Sequence, residues 1–260
     1  MQDILSSAAI LEQLGPGFWR PEVVEETDST NTRLKERARL GEPGGLVLAA
    51  ERQTAGRGRL GRSFASPGGT GIYFSMLLRP ALPLERCTDF TPAAAVCTAR
   101  AVEELCGIPV AVKWVNDLYC GGKKLCGILT EAAPAPDGTA DYVVVGIGLN
   151  LRATGRPELA QIATSVEEAG GRVPTRAGLI AAILREFGRY CADPLANYAA
   201  MAKDYRRRMF LTGREVTLST DPLGRPHRVE GLDDRLRLVV RTPEGELRTL
   251  STGEVSIRSL

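Results

Sequence analysis

The sequence predicts an α+β fold in which a mixed sheet with helices is followed by a small all-β unit. Strand-sized apolar segments alternate with helical patterns as far as residue 209, which is typical of a sheet covered by helices. From Gly213 onward the segments become short and alternating and are separated by turn sequences, a pattern that indicates a small β-barrel. The length of 260 residues accommodates one large and one small domain. We therefore expect two domains, residues 1–212 and 213–260.

The helices are predicted from apolar residues at helical spacing and from residues that begin or end a helix. The first pattern stops at a Gly-Pro-Gly break. The second follows N-cap residues at 27–30 and ends at Gly41, and the third is rich in Ala. In chain order the predicted helices are Asp3–Leu14, Asn31–Leu40, Thr91–Cys106, Thr175–Cys191 and Leu195–Met209.

The strands are predicted from short apolar or alternating runs, and a hairpin is expected at Gly121-Gly122. In the larger unit the predicted strands are Val23–Glu25, Leu46–Glu51, Ile72–Leu78, Val110–Lys113, Leu118–Cys120, Leu125–Glu131 and Tyr142–Leu151. In the smaller unit they are Glu215–Ser219, Arg235–Arg241 and Leu247–Ser251.

Charge and composition exclude several classes of function. Lys and Arg number 33 against 31 Asp and Glu, a net charge of +2, so no whole-chain attraction to nucleic acid or to an anionic membrane is expected. No apolar run approaches the roughly 18 residues of a membrane span, and the N-terminus lacks the basic region of a secretory signal. The six cysteines form no CxxC pair and His227 is the only histidine, so a disulfide framework, a zinc site or a His-based triad is not expected. We expect a cytoplasmic protein with reduced cysteines.

The most unusual segment, QTAGRGRLGR at residues 53–62, is called the Gly/Arg segment below. It contains the dinucleotide pattern GxGxxG, but the following RSFASPGG cannot open a helix, and no acidic residue for a ribose stands about 20 positions on. Alternating glycines let a backbone fold closely around a ligand, and arginine forks suit carboxylate and phosphate oxygens. The segment therefore predicts a loop that binds a polyanion. A solvated flexible loop and a weak RNA-binding segment are the alternatives.

Other segments place polar residues or glycines at the ends of predicted strands or helices. The Asn-Asp pair at 116–117 is either an ordinary turn or a pair that binds polar ligand groups or Mg²⁺, which prefers oxygen ligands. Lys124 begins an otherwise apolar strand, and Gly127 within that strand allows a backbone or a ligand to come close. The sequence DSTN at 28–31 is a helix cap that can also bind a neutral polar ring. The glycines of GIGLN at 146–150 again suggest close approach.

Five segments, taken in chain order, resemble the motifs of the biotin protein ligases, and the resemblance covers nearly the whole chain. The segments are ETDSTN, QTAGRGRLGR, KWVNDLY, KKLCGIL and GIGLN. The resemblance implies a catalytic domain related to class II aminoacyl-tRNA synthetases, followed by an SH3-like domain. It also implies a two-step reaction. The carboxylate of biotin attacks the α-phosphorus of ATP with Mg²⁺ present, giving biotinyl-5′-adenylate and pyrophosphate. A lysine of a biotin carboxyl carrier protein, a subunit of acetyl-CoA carboxylase, then takes the biotin and releases AMP.

The resemblance also implies a role for each matching residue, and two anionic substrates need fixed cations between them. The residues assigned to catalysis are Lys124, Arg57 and Arg59. Those assigned to biotin are Ser29, Thr30, Asn31, Gln53, Arg57, Gly58, Arg59 and Lys124. Those assigned to ATP are Arg59, Arg62, Asn116, Asp117 and Asn150, with Asp117 also the candidate ligand for the Mg²⁺ that ATP brings. Closure of the Gly/Arg segment is expected to keep water from the adenylate.

Three positions depart from the family pattern: Val115 replaces the usual Pro, Cys126 a small residue such as Ala, and Phe64 a common Trp. Only 25 residues precede ETDSTN, too few for a winged helix-turn-helix, so binding to operator DNA is not expected. One rival is a lipoate or octanoate ligase of the same superfamily, but the chain lacks an RRxSGGGxVxH-type run. Another is an RG-loop RNA-binding protein, for which an aromatic content of 5% is low.

Overall fold

The computed structural model describes residues 3–251, 253 and 255–257. The helices are α1 (Ser7–Leu14), α2 (Thr30–Arg39), α3 (Phe90–Cys106), α4 (Arg176–Ala192) and α5 (Pro194–Arg208). The strands of the larger unit are β1 (Arg20–Thr27), β2 (Leu46–Gln53), β3 (Gly71–Leu78), β4 (Ala111–Lys113), β5 (Asp117–Cys120), β6 (Lys123–Pro134) and β7 (Ala140–Asn150). Those of the smaller unit are β8 (Glu215–Leu218), β9 (His227–Leu232), β10 (Leu238–Arg241), β11 (Leu247–Leu250) and β12 (Val255–Ile257).

The first seven strands form one mixed sheet in the order β1-β2-β3-β7-β6-β5-β4. β1 and β2 are parallel, and α2 forms the crossover that a parallel pair requires. Every other neighbouring pair is antiparallel. The long strands β6 and β7 pair so that Gly127 lies opposite Gly148 and Leu129 lies opposite Gly146. The middle of the sheet therefore carries several positions without side chains.

Helices cover both faces of this sheet because its central strands are apolar on both sides. In β2, Val47 and Ala49 belong to the large core under α1, α3, α4 and α5. Leu46 and Leu48 belong to a smaller core under α2. This division follows from the alternation of side chains along a strand. No helix in the described ranges is long and apolar enough to cross a membrane.

The last five strands form an antiparallel sheet in the order β11-β10-β9-β8-β12. Its inward side chains, such as Val229 and Leu238, are continuous with the large core of the first unit. The Trp114 indole Nε1 donates a buried hydrogen bond of 2.9 Å to the Leu236 carbonyl. The small sheet is therefore packed directly onto the turn between β4 and β5.

The predicted and observed elements differ most at α1, β9 and β12, and the bounds of the other elements differ by up to three residues at an end. α1 begins after Ser6, whose Oγ accepts a hydrogen bond from the Ala9 amide. Asp3, predicted to lie in that helix, instead accepts from the backbone and side chain of Arg176. β9 and β12 were not predicted: the alternating pattern of β9 contains Gly231, and β12 is only three residues long.

A buried charge cluster joins α3 to α5 and provides a test of stability. Asp204 accepts hydrogen bonds from Arg100 (2.8 Å), Arg207 (2.5 Å) and Arg208 (3.1 Å). The pKa of Asp204 is lowered: burial alone would raise it, but the hydrogen bonds from Arg207 and Arg100 and the charges of Arg208 and Arg100 outweigh burial. Since the Arg208 side chain is only 6% exposed, removing the Asp204 carboxylate leaves that guanidinium buried with fewer partners.

We expect Asp204→Ala to lower the free energy of unfolding by about 3 kcal/mol, the scale for removing one partner of a buried ion pair. Urea unfolding measures this effect. Asp234→Ala is the matched control, because Asp234 is fully exposed and lies 3.7 Å from Arg206, and it should change stability by less than about 0.5 kcal/mol. Equal losses in the two variants would contradict the importance assigned to the cluster.

Candidate active site

A cleft opens over the middle of the large sheet and collects residues that are far apart in the sequence. Its walls come from the start of α2, the Gly/Arg segment, the turn between β4 and β5, the middle of β6 and β7, and the last described residues of the smaller unit. Its free volume is about 1000 Å³, including solvent at the mouth. The assigned residues that line it are Ser29, Thr30, Asn31, Gln53, Arg57, Gly58, Arg59, Arg62, Asn116, Asp117 and Lys124.

One end of the cleft, formed by Ser29, Thr30, Asn31 and Gln53, is uncharged and is called the polar end. The Thr30 Oγ1 lies 2.7 Å from the Ser75 Oγ and donates to the Gln53 Oε1 at 3.2 Å. The Thr30 amide also donates to this Oε1 at 2.9 Å. These bonds fix the side chains before any ligand arrives, which reduces the entropy lost on binding.

Asn31 is held from several sides. Its Nδ2 donates to the Leu129 carbonyl and to the Glu131 Oε2, each at 3.1 Å, and its Oδ1 accepts from the Ser75 Oγ at 2.6 Å. Both amide protons are therefore used within the protein, and only Oδ1 keeps capacity to accept another bond. The backbone of Gly146 lies against this amide, because a Cβ at that position would stand 2.0 Å from the Oδ1.

The Gly/Arg segment forms a hairpin-like excursion that returns along its own path. The Gly58 amide donates to the Arg62 carbonyl at 2.7 Å, and the Phe64 amide donates to the Gly56 carbonyl at 2.8 Å. At the tip, Leu60 has a φ of 54° and is 71% exposed. The segment is therefore an ordered wall of the cleft, and the Gly58 N–H is already used inside the hairpin.

Phe64 lies on a floor made by two paired glycines. A Cβ at Gly148 would be 2.5 Å from the Phe64 ring, and one at Gly127 would be 3.3 Å from it. Tyr73 meets the same ring edge-on, with centroids 6.4 Å apart. The phenyl group thus forms the hydrophobic wall expected of an aromatic residue at this position, and the glycines are what allow it to lie there.

Two arginines of the Gly/Arg segment have different partners. The Arg57 Nη1 contacts both carboxylate oxygens of Glu131, at 3.1 and 3.2 Å. The Arg59 Nη1 donates to the Asn116 Oδ1 at 3.1 Å, and its Nη2 donates to the Gly253 carbonyl at 3.3 Å. Arg59 thus connects the Gly/Arg segment to the turn between β4 and β5 and to the smaller unit.

Lys124 and Asp117 form an ion pair inside the cleft, with the Lys124 Nζ 2.8 Å from the Asp117 Oδ1. The contact lacks hydrogen-bond geometry, and that buried Oδ1 has no hydrogen-bond partner within the described residues. The carboxylate therefore keeps capacity for a ligand. The turn itself is held by the Tyr205 Oη, which donates to the Val115 carbonyl at 2.9 Å.

The cleft is strongly positive although the chain is nearly neutral. Its lining, within the described part of the chain, holds one carboxylate, that of Asp117, against five basic side chains: Arg57, Arg59, Arg62, Lys113 and Lys124. Concentrated positive charge inside low-dielectric walls favours anions. The arrangement can therefore hold a ligand with a neutral polar portion and several negative charges.

Asn150 and Cys126 lie apart from this lining. The Asn150 Nδ2 donates to the Thr164 carbonyl at 3.0 Å, which fixes the segment after β7. Cys126 is fully buried in the large core, and burial raises the pKa of its thiol. No group of three or more His, Cys, Asp or Glu side chains in the described ranges is placed to hold a metal ion.

Three residues that shape the site were not predicted. Ser75 is fully buried in β3 and connects Thr30 to Asn31. A lone polar residue in the apolar run GIYFSMLL was its signal. Glu131 and Lys35, which form an ion pair at 2.6 Å, lie outside the recognised motifs, and their proximity depends on how α2 packs on β6.

Comparison with known proteins identifies the class that this fold and cleft define. Residues 23–150 match the Biotin/lipoate A/B protein ligase family, and residues 212–258 match the Biotin protein ligase C terminal domain. A structure of the Aquifex aeolicus biotin protein ligase in complex with biotin and ATP is similar to this chain with a TM-score of 0.77 and 30% identity, covering 92% of this chain and 98% of that one. The predicted α+β fold is confirmed.

Proteins with similar sequences indicate more closely which class of ligase the chain resembles. A Mycobacterium tuberculosis biotin--[acetyl-CoA-carboxylase] ligase is 35% identical, over 82% of this chain and 80% of the relative. The Bacillus subtilis bifunctional ligase/repressor BirA is 34% identical, over 84% of this chain and 68% of the relative. The chain belongs to the biotin protein ligase family and is a ligase.

Proposed function

We propose that the cleft activates biotin with ATP and then transfers it to a lysine of a biotin carboxyl carrier protein. The observation that carries this proposal is the location of the neutral polar end directly beside five basic side chains in one cleft. Biotin has an uncharged bicyclic ring and a carboxylate, and ATP adds three phosphates. The names of the relatives and the biotin- and ATP-bound Aquifex aeolicus structure support the same chemistry.

In the first step, a biotin carboxylate oxygen forms a bond to the α-phosphorus of ATP, and the bond from that phosphorus to the bridging oxygen of pyrophosphate breaks. Lys124, Arg57 and Arg59 are proposed to lie around the two reacting anions, because fixed cations offset their repulsion. Thr30 and Gln53 are proposed to hold the ring, with Ser29 and Asn31 beside them. The ordered bonds of the polar end support this orientation.

In the second step, a lysine amine of the carrier attacks the carbonyl carbon of the mixed anhydride and AMP leaves. No side-chain nucleophile is needed. Arg62, Asn116 and Asp117 are proposed to contact the nucleotide. Asn150, whose Nδ2 donates to the Thr164 carbonyl, is proposed to contact the nucleotide as well.

Magnesium is proposed to arrive with the ATP phosphates, whose charge it neutralises when bound. The residues present fit this arrangement: Asp117 is the acidic residue of the described lining. Its Oδ1, 2.8 Å from the Lys124 Nζ, would be released to the ion as Lys124 turns to the biotin carboxylate. This oxygen suits an ion that already carries phosphate and water ligands.

Pyrophosphate release tests the proposal. Purified protein receives ATP, Mg²⁺ and either biotin or lipoate, and label transfer to a carrier domain is then measured. Pyrophosphate and transfer with biotin are the expected results. Turnover with lipoate alone would assign the chain to the lipoate branch, and salt-sensitive RNA binding without turnover would support the RNA-binding alternative.

Arg59→Ala is expected to release the adenylate faster than the unaltered protein, by about tenfold, because the bonds to Asn116 and Gly253 that close the cleft are lost. Dissociation of labelled biotinyl-adenylate, measured by rapid filtration, checks this. Arg52→Ala is the control, since Arg52 is exposed and pairs with Glu26 on the sheet edge. Unchanged retention in Arg59→Ala would contradict the role of Arg59 in closure.

The division into residues 1–212 and 213–260, the cytoplasmic location and the lack of operator binding stay predictions. An electrophoretic-mobility experiment with operator DNA tests the last of these. Retardation would assign a repressor activity of the kind named in the Bacillus subtilis relative.

A further inference from the structure

Just outside the cleft, the Glu131 carboxylate contacts two cationic side chains and one side-chain amide. Its Oε1 lies 2.6 Å from the Lys35 Nζ and 3.1 Å from the Arg57 Nη1, and its Oε2 accepts from the Asn31 Nδ2 at 3.1 Å. The carboxylate is 21% exposed and Lys35 is 17% exposed. These partly buried charges therefore act on one another more strongly than surface charges do.

The net charge of Lys35, Arg57 and Glu131 together determines whether Arg57 can still bind a substrate anion. If Glu131 and Arg57 were alone they would form a neutral pair, and the guanidinium would be committed to a protein carboxylate. Lys35 adds one positive charge on the same Oε1. The group of Lys35, Arg57 and Glu131 then carries a net charge of +1, which a single added carboxylate brings to zero.

The environment keeps Glu131 charged. Burial alone would raise its pKa, but the hydrogen bonds from Lys35 and Asn31 and the charges of Lys35 and Arg57 lower it below the ordinary value. The carboxylate is therefore ionised at neutral pH and competes with any substrate anion for Arg57. Arg57, in contrast, is half-exposed and lines the cleft.

We propose that Lys35 is a positioning residue for substrate binding: by neutralising Glu131, it leaves the charge of Arg57 available to the carboxylate of biotin. This inference rests on the proposed function, since it takes biotin as the anion. Glu131 then holds Arg57 and Asn31 in place, and the ammonium of Lys35 cancels the negative charge of the Glu131 carboxylate. Lys35 itself does not line the cleft and acts through Glu131.

The test compares the binding of biotin with that of biotin alcohol, in which CH₂OH replaces the carboxylate, by titration calorimetry. Lys35→Met should weaken the binding of biotin about tenfold, because Glu131 then holds Arg57 as a neutral pair. It should change the binding of biotin alcohol less than about twofold, because that ligand has no charge to place beside Arg57.

A second variant separates charge from structure. In Lys35→Met combined with Glu131→Gln, both charges are gone, and the Gln oxygen can still accept from Asn31. The affinity for biotin should return to within about threefold of the unaltered protein, because Arg57 again carries an uncompensated charge. Arg39→Met, which removes an exposed charge from the same helix, is the matched control and should leave both affinities unchanged.

The outcomes distinguish the inference from the proposed function. If the unaltered protein binds neither ligand, the proposed function fails. If it binds both ligands and Lys35→Met weakens them equally, or if the double variant is no better than Lys35→Met, Lys35 has only a structural role and the inference is overturned. Thermal melting of each variant shows whether α2 remains folded.

Discussion

Lys124→Ala should lower the rate of adenylate formation by about 10²- to 10³-fold, the scale for removing one group that stabilises developing charge. The Lys124 ammonium is the cation that faces Asp117 at 2.8 Å inside the cleft. Its removal leaves the Asp117 carboxylate without this cation where the two substrate anions are proposed to bind. The loss should therefore appear in biotin-dependent pyrophosphate exchange and in the affinity for biotin alike.

The fold of this variant should persist, because Lys124 is bonded to the neighbouring segment through its backbone, and its side chain, which is partly exposed, pairs with Asp117 at the cleft. Its amide donates to the Ile162 carbonyl at 3.0 Å, and its carbonyl accepts from the Thr164 amide at 2.9 Å. Lys123→Ala is the matched control. Lys123 is the preceding residue, so its side chain points to the other face of the strand, where it donates to the Ala160 carbonyl. Full activity in Lys124→Ala, or equal losses in both variants, would remove the role assigned to Lys124.

The sequence predicted well those features that depend on short segments. The Gly/Arg segment, the cap at Ser29 and the turn at Asn116-Asp117 carry residue types that are rare in that combination. They line one cleft in the structure, as their likeness to one family's motifs implied. The core of the sheet followed in the same way from apolar runs such as that of β3.

Features that depend on packing between distant segments were not predictable from one sequence. Glu131 receives Lys35 only because α2 packs on the sheet, and nothing in the local sequence of either residue indicates the other. The assignment of Asn150 to ATP, made from its motif, stays a prediction. The packing of the segment after β7 adds a contact that the motif does not indicate, from the Asn150 Nδ2 to the Thr164 carbonyl.

The glycines of β6 and β7 predicted a close approach to these strands, but the sequence did not indicate which group approaches. Their spacing predicted that something would approach the strands closely. The structure identifies two protein side chains: Phe64 over Gly148 and Asn31 over Gly146. These glycines therefore shape the cleft by allowing its own walls to sit close to the sheet, and a methyl group at either position must displace a wall.

Gly146→Ala should weaken biotin binding by more than about 100-fold and lower the free energy of unfolding by about 2 kcal/mol, because the new Cβ would stand 2.0 Å from the Asn31 Oδ1. Asn31 cannot yield without breaking its bonds to Ser75, Leu129 and Glu131. Calorimetry with biotin and urea unfolding measure the two effects. Gly17→Ala, where a Cβ meets no atom within 4 Å and φ is not positive, should change neither.

Combining Gly146→Ala with Asn31→Ala decides whether this clash is the cause. Once the Asn31 amide is absent, the nearest atom to the added methyl group is the Ser75 Oγ at 3.2 Å, which has lost its Asn31 acceptor and can rotate away. The double variant should therefore be within about 1 kcal/mol of the stability of Asn31→Ala alone. Biotin binding should stay weak in both, because the polar end has lost the residue that ties α2 to β6. A double variant whose unfolding free energy is the sum of two independent losses would show that Gly146 is required for a reason other than the approach of Asn31.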